Sequence, residues 1–227
     1  QLLEGSELAT QAWALAVPPQ DDPQAFRYVP QVHGASRDAL TYVSQVVENE
    51  CNAVTGQALI FPEENLLLHG GSLPGQPLPL VLDHLAMAMS GLGNQRQLPP
   101  YLAADSTLNF GLLSLPHSAA SLVSQNKQLC SPSSLTESGL GEYGPLSTGA
   151  TAAAEARRVV ENVEQILGIE LLAAAQALDF RRPARSSPAL EAVVAAFREV
   201  VTFVPHDRVL APDLHRAARF VREYDWV

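Results

Sequence analysis

Apolar positions recur at helical spacing along most of this chain. After an opening rich in proline and glutamine (AVPPQDDPQAFRYVPQVH), Leu40, Val43, Val46 and Val47 share one stripe. That stripe predicts a helix from Ala35 to about Cys51. Residues 1–34 are expected to form an extended N-terminal arm and loop, with residues 35–227 forming a helical bundle. NAVTGQALIF then reads as a loop carrying a short strand-like piece, ALIF, and a glycine-proline cluster follows. A second helix is predicted from Pro77 to Gly91, apolar on nearly all sides and therefore buried. A third is predicted from Thr107 to Leu129, with a kink at Pro116.

Residues 131–149, SPSSLTESGLGEYGPLSTG, form a long glycine- and serine-rich loop, a length usually associated with function or mobility. The longest predicted helix covers 148–180. Val160, Val163, Leu167, Leu171, Ala174 and Leu178 supply its bundle seam, and Ile166, Ile169 and Leu172 a second apolar face. A helix greasy on two faces needs several neighbours. Ser187 is the expected cap of the next helix, with Pro188 at its first position and an end near Val201. Asp213 opens a last helix ending near Glu223. The pattern predicts an all-α bundle of long helices, with no internal repeat and no clear domain boundary.

Composition narrows the function classes. The chain of 227 residues is 47% hydrophobic and only 17% charged, which is a globular balance. Its net charge of −10 repels phosphate backbones, so nucleic acid is not an expected partner. Lys127 is the only lysine, leaving little scope for lysine chemistry. Cys51 and Cys130 are too few for a disulfide framework or a cysteine zinc site, and are expected as free thiols in a reducing cytoplasm. Asp83 and His84 interrupt the apolar run PLPLVLDHLAMAM, so no membrane span is expected.

Self-contained catalytic motifs are missing. The sequence holds no P-loop, no G-x-G-x-x-G and no HExxH, and its histidines never fall at i, i+3 or i, i+4. Gly70-Gly71-Ser72-Leu73-Pro74 has proline where a hydrolase elbow needs its last glycine. Glu63-Glu64 reads as a solvated turn.

Several segments together resemble the histidine and aromatic amino acid ammonia-lyase family. YVPQVHGASRDALTYV is similar to the family's R-C-x-P-Q-V-x-G segment and the helix after it. NAVTGQALIF resembles N-(S/A)-x-(T/S)-D-N-P-L-(V/I)-F, HGGSLPGQP the S-G-G-N-F-H-G-E-P loop, and SLVSQNKQL the A-L-x-S-E-N-K-x-L helix. VVENVEQILGIELLAAAQALDFR and LAPDLHRA are close to family text. The matches keep the family's order from Leu2 to Phe220, and correspond to its C-terminal half.

The resemblance implies a bundle of long, near-parallel helices, commonly assembled as a tetramer with composite active sites. It also implies chemistry through a methylidene-imidazolone electrophile, formed from an Ala-Ser-Gly tripeptide, that helps eliminate ammonia from an amino acid to give an α,β-unsaturated acid. Ala-Ser-Gly is absent from this sequence. The electrophile is therefore expected from a partner: an ammonia-lyase-like N-terminal chain carrying the tripeptide, in a hetero-oligomer. A fragment of a longer chain would carry the same half.

By position, Arg27 matches the family arginine that binds the substrate carboxylate, a task suited to a guanidinium fork. Gln24 stands where the family has a tyrosine, Asp21 where it has a glutamine, and Leu73 where an aromatic lines the pocket. The loop 138–147 is shorter than the family's N-Q-E-D-H-V-S region, so Glu142 or Tyr143 takes the place of its glutamate, a group suited to proton transfer. His33 is expected as a contact at the start of its helix, and Asn109 as structural. Glu170 and Gln176 are expected to make buried inter-helix hydrogen bonds. Two readings follow: a subunit of a split ammonia-lyase, or a non-catalytic scaffold or regulatory pseudo-lyase. An altered reaction of the same electrophile, as in an aminomutase or dehydratase, is a third.

Overall fold

A computed structural model describes residues 2–14, 24–56, 58–70, 75–93, 102, 109–135, 140–141, 144–145 and 148–226. Its helices are α1 (Glu7–Ala14), α2 (Gln24–Cys51), α3 (Pro77–Gly93), α4 (Ser114–Leu129), α5 (Gly149–Phe180), α6 (Pro188–Val200) and α7 (Ala211–Glu223). Two short antiparallel pairs accompany them: β1 (Ala58–Phe61) with β2 (Leu66–His69), and β3 (Leu140–Gly141) with β4 (Gly144–Pro145). The chain divides into two compact units where the sequence offered no boundary. One comprises residues 1–29, 95–123 and 162–227, the other 30–94 and 124–161.

In the first unit, Leu112 just ahead of α4 and Leu115 in its first turn pack with Ile169 and Leu172 of α5, Phe197 of α6 and Ala217 of α7. Gly168 lets α5 and α7 approach closely, since a Cβ there would lie 2.7 Å from the Ala218 backbone nitrogen. Ser187 caps α6 as expected: its side chain accepts from the Leu190 N–H, and Pro188 occupies the first turn. Gln176 is fully buried. It donates to the Val204 carbonyl at 2.7 Å and accepts from the Val204 N–H at 3.1 Å, so a side chain does the work of a sheet partner. Asn109 is structural too, accepting from the Asp207 N–H at 2.9 Å. Asp207 in turn accepts from the N–H groups of Phe110 and Gly111, both at 2.9 Å.

The second unit buries Ala39 and Val43 of α2, Val81 and Ala86 of α3, and Ala152, Ala156 and Val159 of α5. Ser36 donates to the Ala88 carbonyl at 3.1 Å, tying α2 to α3.

Four expectations need correction. The opening is not an extended arm: α1 is helical, and α2 starts at Gln24 instead of Ala35, with Pro30 inside it. Pro30 lies in the second turn, where its missing N–H costs one hydrogen bond near a helix end. His33 accordingly sits within α2, half-buried, and not at its start. The third helix begins at Ser114, with Pro116 in the first turn, where no intrahelical donor is required. α3 is not buried all round, for Leu80, His84 and Met87 form an exposed stripe. On α5 the buried stripe is Ala152, Ala156, Val159, Val163, Ile166, Ile169, Ala173 and Gln176. Of the expected seam only Val163 belongs to it; Ala174 is exposed and the other four are half-buried.

The contact at Gly168 yields a direct test. Gly168→Ala should destabilise the chain by about 1–3 kcal/mol, because backbone atoms of α7 must move to admit the methyl group. Denaturant unfolding measures this, and an unchanged midpoint would mean that the helices separate without cost.

Candidate functional site

Of the residues assigned to the site by resemblance, Arg27 is the one whose side chain the structure describes. It lies in the first turn of α2 at an exposed position. Gln24 is the first residue of that helix, and its side chain is outside the described residues. Glu142, Tyr143, Asp21 and Leu73 are outside them as well. Arg27 is thus the one candidate whose surroundings the described residues define. The described residues do not build a holder for a methylidene-imidazolone: its precursor tripeptide is absent from the sequence, and Arg27 alone forms no cradle. No reaction step through that group is derived from this chain.

The stems of the candidate loop are well defined. α4 ends at Leu129, a 3₁₀ turn (Ser133–Leu135) follows, and α5 begins at Gly149. Asp83, near the middle of α3, is buried and holds the first stem. It accepts from the Ser133 hydroxyl at 2.9 Å and from the Ser134 N–H at 2.8 Å. Burial alone would raise its pKa, but the hydrogen bonds from Ser134 and Ser133 outweigh it and hold the carboxyl below its usual 3.8. Glu155, one turn into α5, is pushed the other way, above 4.5, by burial and by the charge of Asp83. One of its carboxylate oxygens, Oε2, is buried and has no hydrogen-bond partner among the described residues. Burial likewise raises the Cys130 thiol; a hydrogen bond from Ser90 opposes this, and the charge of Glu155 reinforces it.

Sequence reading missed this cluster. Asp83 had entered only as a break in an apolar run. A lone carboxylate on an otherwise apolar helix was the available signal, because burying one requires donors close by. Among the described residues no group of three or more histidine, cysteine or acidic side chains is placed to hold a metal. In the first unit a surface hollow of about 490 Å³ has His117, Ser118, Gln165 and His215 on its walls over Leu122 and Ile169. None of those residues carries a role by resemblance.

The opposed shifts of Asp83 and Glu155 give a pH test. The penalty from ionised Glu155 is complete above its raised folded pKa and gone below 4.5. Glu155→Gln should therefore be more stable than the parent at pH 7, with the gap closing as pH falls to 4.5. The contribution of Asp83 is present above 3.8 and lost as pH falls through its lowered folded pKa. Asp83→Asn should cost about 1–3 kcal/mol at neutral pH, narrowing in acid. Thermal melts across this range decide it, and identical pH 7 melts for Glu155→Gln and the parent would count against an ionised, penalised Glu155.

Comparison with known proteins places these features. The family model for aromatic amino acid lyases matches residues 1–199. Histidine ammonia-lyase of Symbiobacterium thermophilum is 41% identical over 242 aligned positions, covering 100% of this chain and 47% of that protein. That of Anaeromyxobacter dehalogenans is 40% identical, with 98% and 47% covered. Among solved structures, histidine ammonia-lyase from Trypanosoma cruzi superposes with a TM-score of 0.82 at 33% identity, covering 88% of this chain and 43% of its own. Phenylalanine aminomutase from Pantoea agglomerans also gives 0.82, at 25% identity, with 95% and 48% covered. The chain spans about half the length of the curated relatives it matches.

Proposed function

Because this chain belongs to the aromatic amino acid lyase family, we propose that it supplies one half of an ammonia-lyase active unit. In that unit ammonia is eliminated from an L-amino acid to leave an α,β-unsaturated acid. The methylidene-imidazolone electrophile comes from a lyase segment carrying Ala-Ser-Gly, assembled with this chain in a hetero-oligomer. The observation carrying the reading is the end-to-end match to histidine ammonia-lyases at 41% identity. Those relatives make histidine the first substrate to test.

Within that unit, Arg27 binds the substrate carboxylate. A guanidinium offers two parallel N–H donors to one carboxylate, which fixes the amino acid as well as attracting it. Glu142 or Tyr143, on the loop whose stem Asp83 holds, handles a proton. The assembly works in the cytoplasm, where Cys51 and Cys130 stay as thiols.

A second reading is favoured by Gln24, Asp21 and Leu73, which replace a tyrosine, a glutamine and an aromatic of the family pattern. With these changes the chain serves as a scaffold or regulator of a complete lyase, or the unit runs an altered reaction such as an aminomutase or dehydratase. Mass spectrometry on protein purified untagged from its source separates the readings. A lyase segment lighter than its coding sequence by two waters, in complex with this chain, supports the first. A complex without that deficit rejects catalysis by it.

In the active assembly, Arg27→Ala should raise KM on the order of tenfold or more and lower kcat if the carboxylate also orients the substrate. Steady-state kinetics of ammonia release provide the measurement, and unchanged constants would remove Arg27 from the site.

A further inference from the structure

We propose that the β1–β2 hairpin is a docking tongue, clamped on both faces by the other half of a lyase fold. The ladder sets Leu59 opposite Leu68 and Phe61 opposite Leu66 on one face, and Ile60 opposite Leu67 on the other. Ile60 is 69% exposed, Leu67 53%, and Phe61 and Leu66 each 42%. A two-stranded hairpin is marginal in water by itself, and one with an apolar face needs a layer against it. This one has two such faces, and both lie open.

The remainder of the hairpin is built to hold that shape. At its base, a Cβ on Gly70 would lie 2.8 Å from the Gly56 carbonyl oxygen, so the two chain ends close tightly there only with glycine. At its tip, the Asn65 N–H donates to the Pro62 carbonyl at 3.2 Å, with Asn65 at a φ of 50°. Glu63 and Glu64 sit on this exposed turn. An apolar shaft with an acidic tip is suited to insertion into an apolar cleft, the tip remaining in water.

Chain length and charge identify the occupant. The lyases that align with this chain from end to end continue for about as many residues again outside the match. The fold of those relatives therefore includes a second half of comparable size. A second copy of this chain is the weaker fit, because two chains each of net charge −10 repel. Position in the sequence links the tongue to the site. β2 ends at His69, directly before the Gly70-Gly71-Ser72-Leu73-Pro74 segment, whose family counterpart lines the substrate pocket. The proposal rests on the lyase reading above for its partner.

The test co-expresses this chain with a tagged polypeptide comprising the part of Symbiobacterium thermophilum histidine ammonia-lyase outside the match. Two variants alter one face each with a residue that suits a strand: Ile60→Thr with Leu67→Thr, and Phe61→Thr with Leu66→Thr. All four positions are exposed, so the melt of the isolated chain should not change. The expected result is co-purification of the parent chain and a loss of affinity on the order of tenfold or more in each variant. Three results would overturn the proposal: no complex with the parent chain, variants that bind as the parent does, or a complex containing only copies of this chain. Activity is scored separately. A complex that depends on the hairpin but releases no ammonia sinks the lyase reading and leaves the docking intact. An active complex indifferent to the substitutions does the reverse.

Discussion

α5 has more apolar surface than one neighbour can cover, and much of the structure answers that constraint. Over 32 residues it carries a stripe buried along nearly its whole length and a flank that is half-buried or open. Apolar area left in water is costly, roughly 25 cal/mol for each Å². The stripe therefore selects which residues the other helices may present to it. Small ones are favoured: Ala152, Ala156, Ala173 and Ala175 on α5 itself, and Gly168 where α7 comes nearest. Close approach gains contact along the helices, but leaves no room for side chains that could adjust.

Packing of that kind cannot hold the connections, and polar side chains do so instead. Gln176 pairs with both backbone groups of Val204, Asp207 takes two N–H groups ahead of α4, and Asp83 takes Ser133 and Ser134 after it. Asp213, 2% exposed, is matched by Arg208 and Arg216. Each anchor replaces hydration that the backbone or the carboxylate has lost. The anchor at Asp83 bears on the loop proposed to act in proton transfer. It fixes one stem of the loop carrying Glu142 and Tyr143, so a proton-transfer group there would work from a held base.

Legibility in the sequence followed how local each signal was. The span of α5, the Ser187–Pro188 start of α6, the structural role of Asn109 and the burial of Gln176 could be read, since each depends on periodicity or on one polar residue in an apolar setting. That Gln176 bonds the connection after α6 and not another helix could not. The helix before Ala35 could not either, because Pro30 and the glutamines argue locally for extended chain. The seam of α5 was misplaced for another reason: with two apolar faces, periodicity alone does not say which is covered within the chain. β1 was visible as ALIF, but LLLH was not recognised as its partner, having no strand signature stronger than its helix one. At the candidate site, Arg27 was reached through family text, while Asp83 needed the structure, since its partners lie 50 and 51 residues away.

The limits of the site are physical as well. A carboxylate-binding arginine and a proton-transfer loop can orient an amino acid, but neither withdraws electrons from it. That task belongs to an electrophile for which this sequence has no precursor. The same incompleteness shows in the packing, as apolar positions at Ile60, Leu67, Leu80 and Met87 are left in water. Catalytic and hydrophobic deficits of this kind have a common remedy in one additional body of protein, for a surface that covers the exposed positions can also carry the missing chemistry. On the proposed reading, function then belongs to the assembly, and a kinetic test of Arg27 has meaning only once that second body is in place.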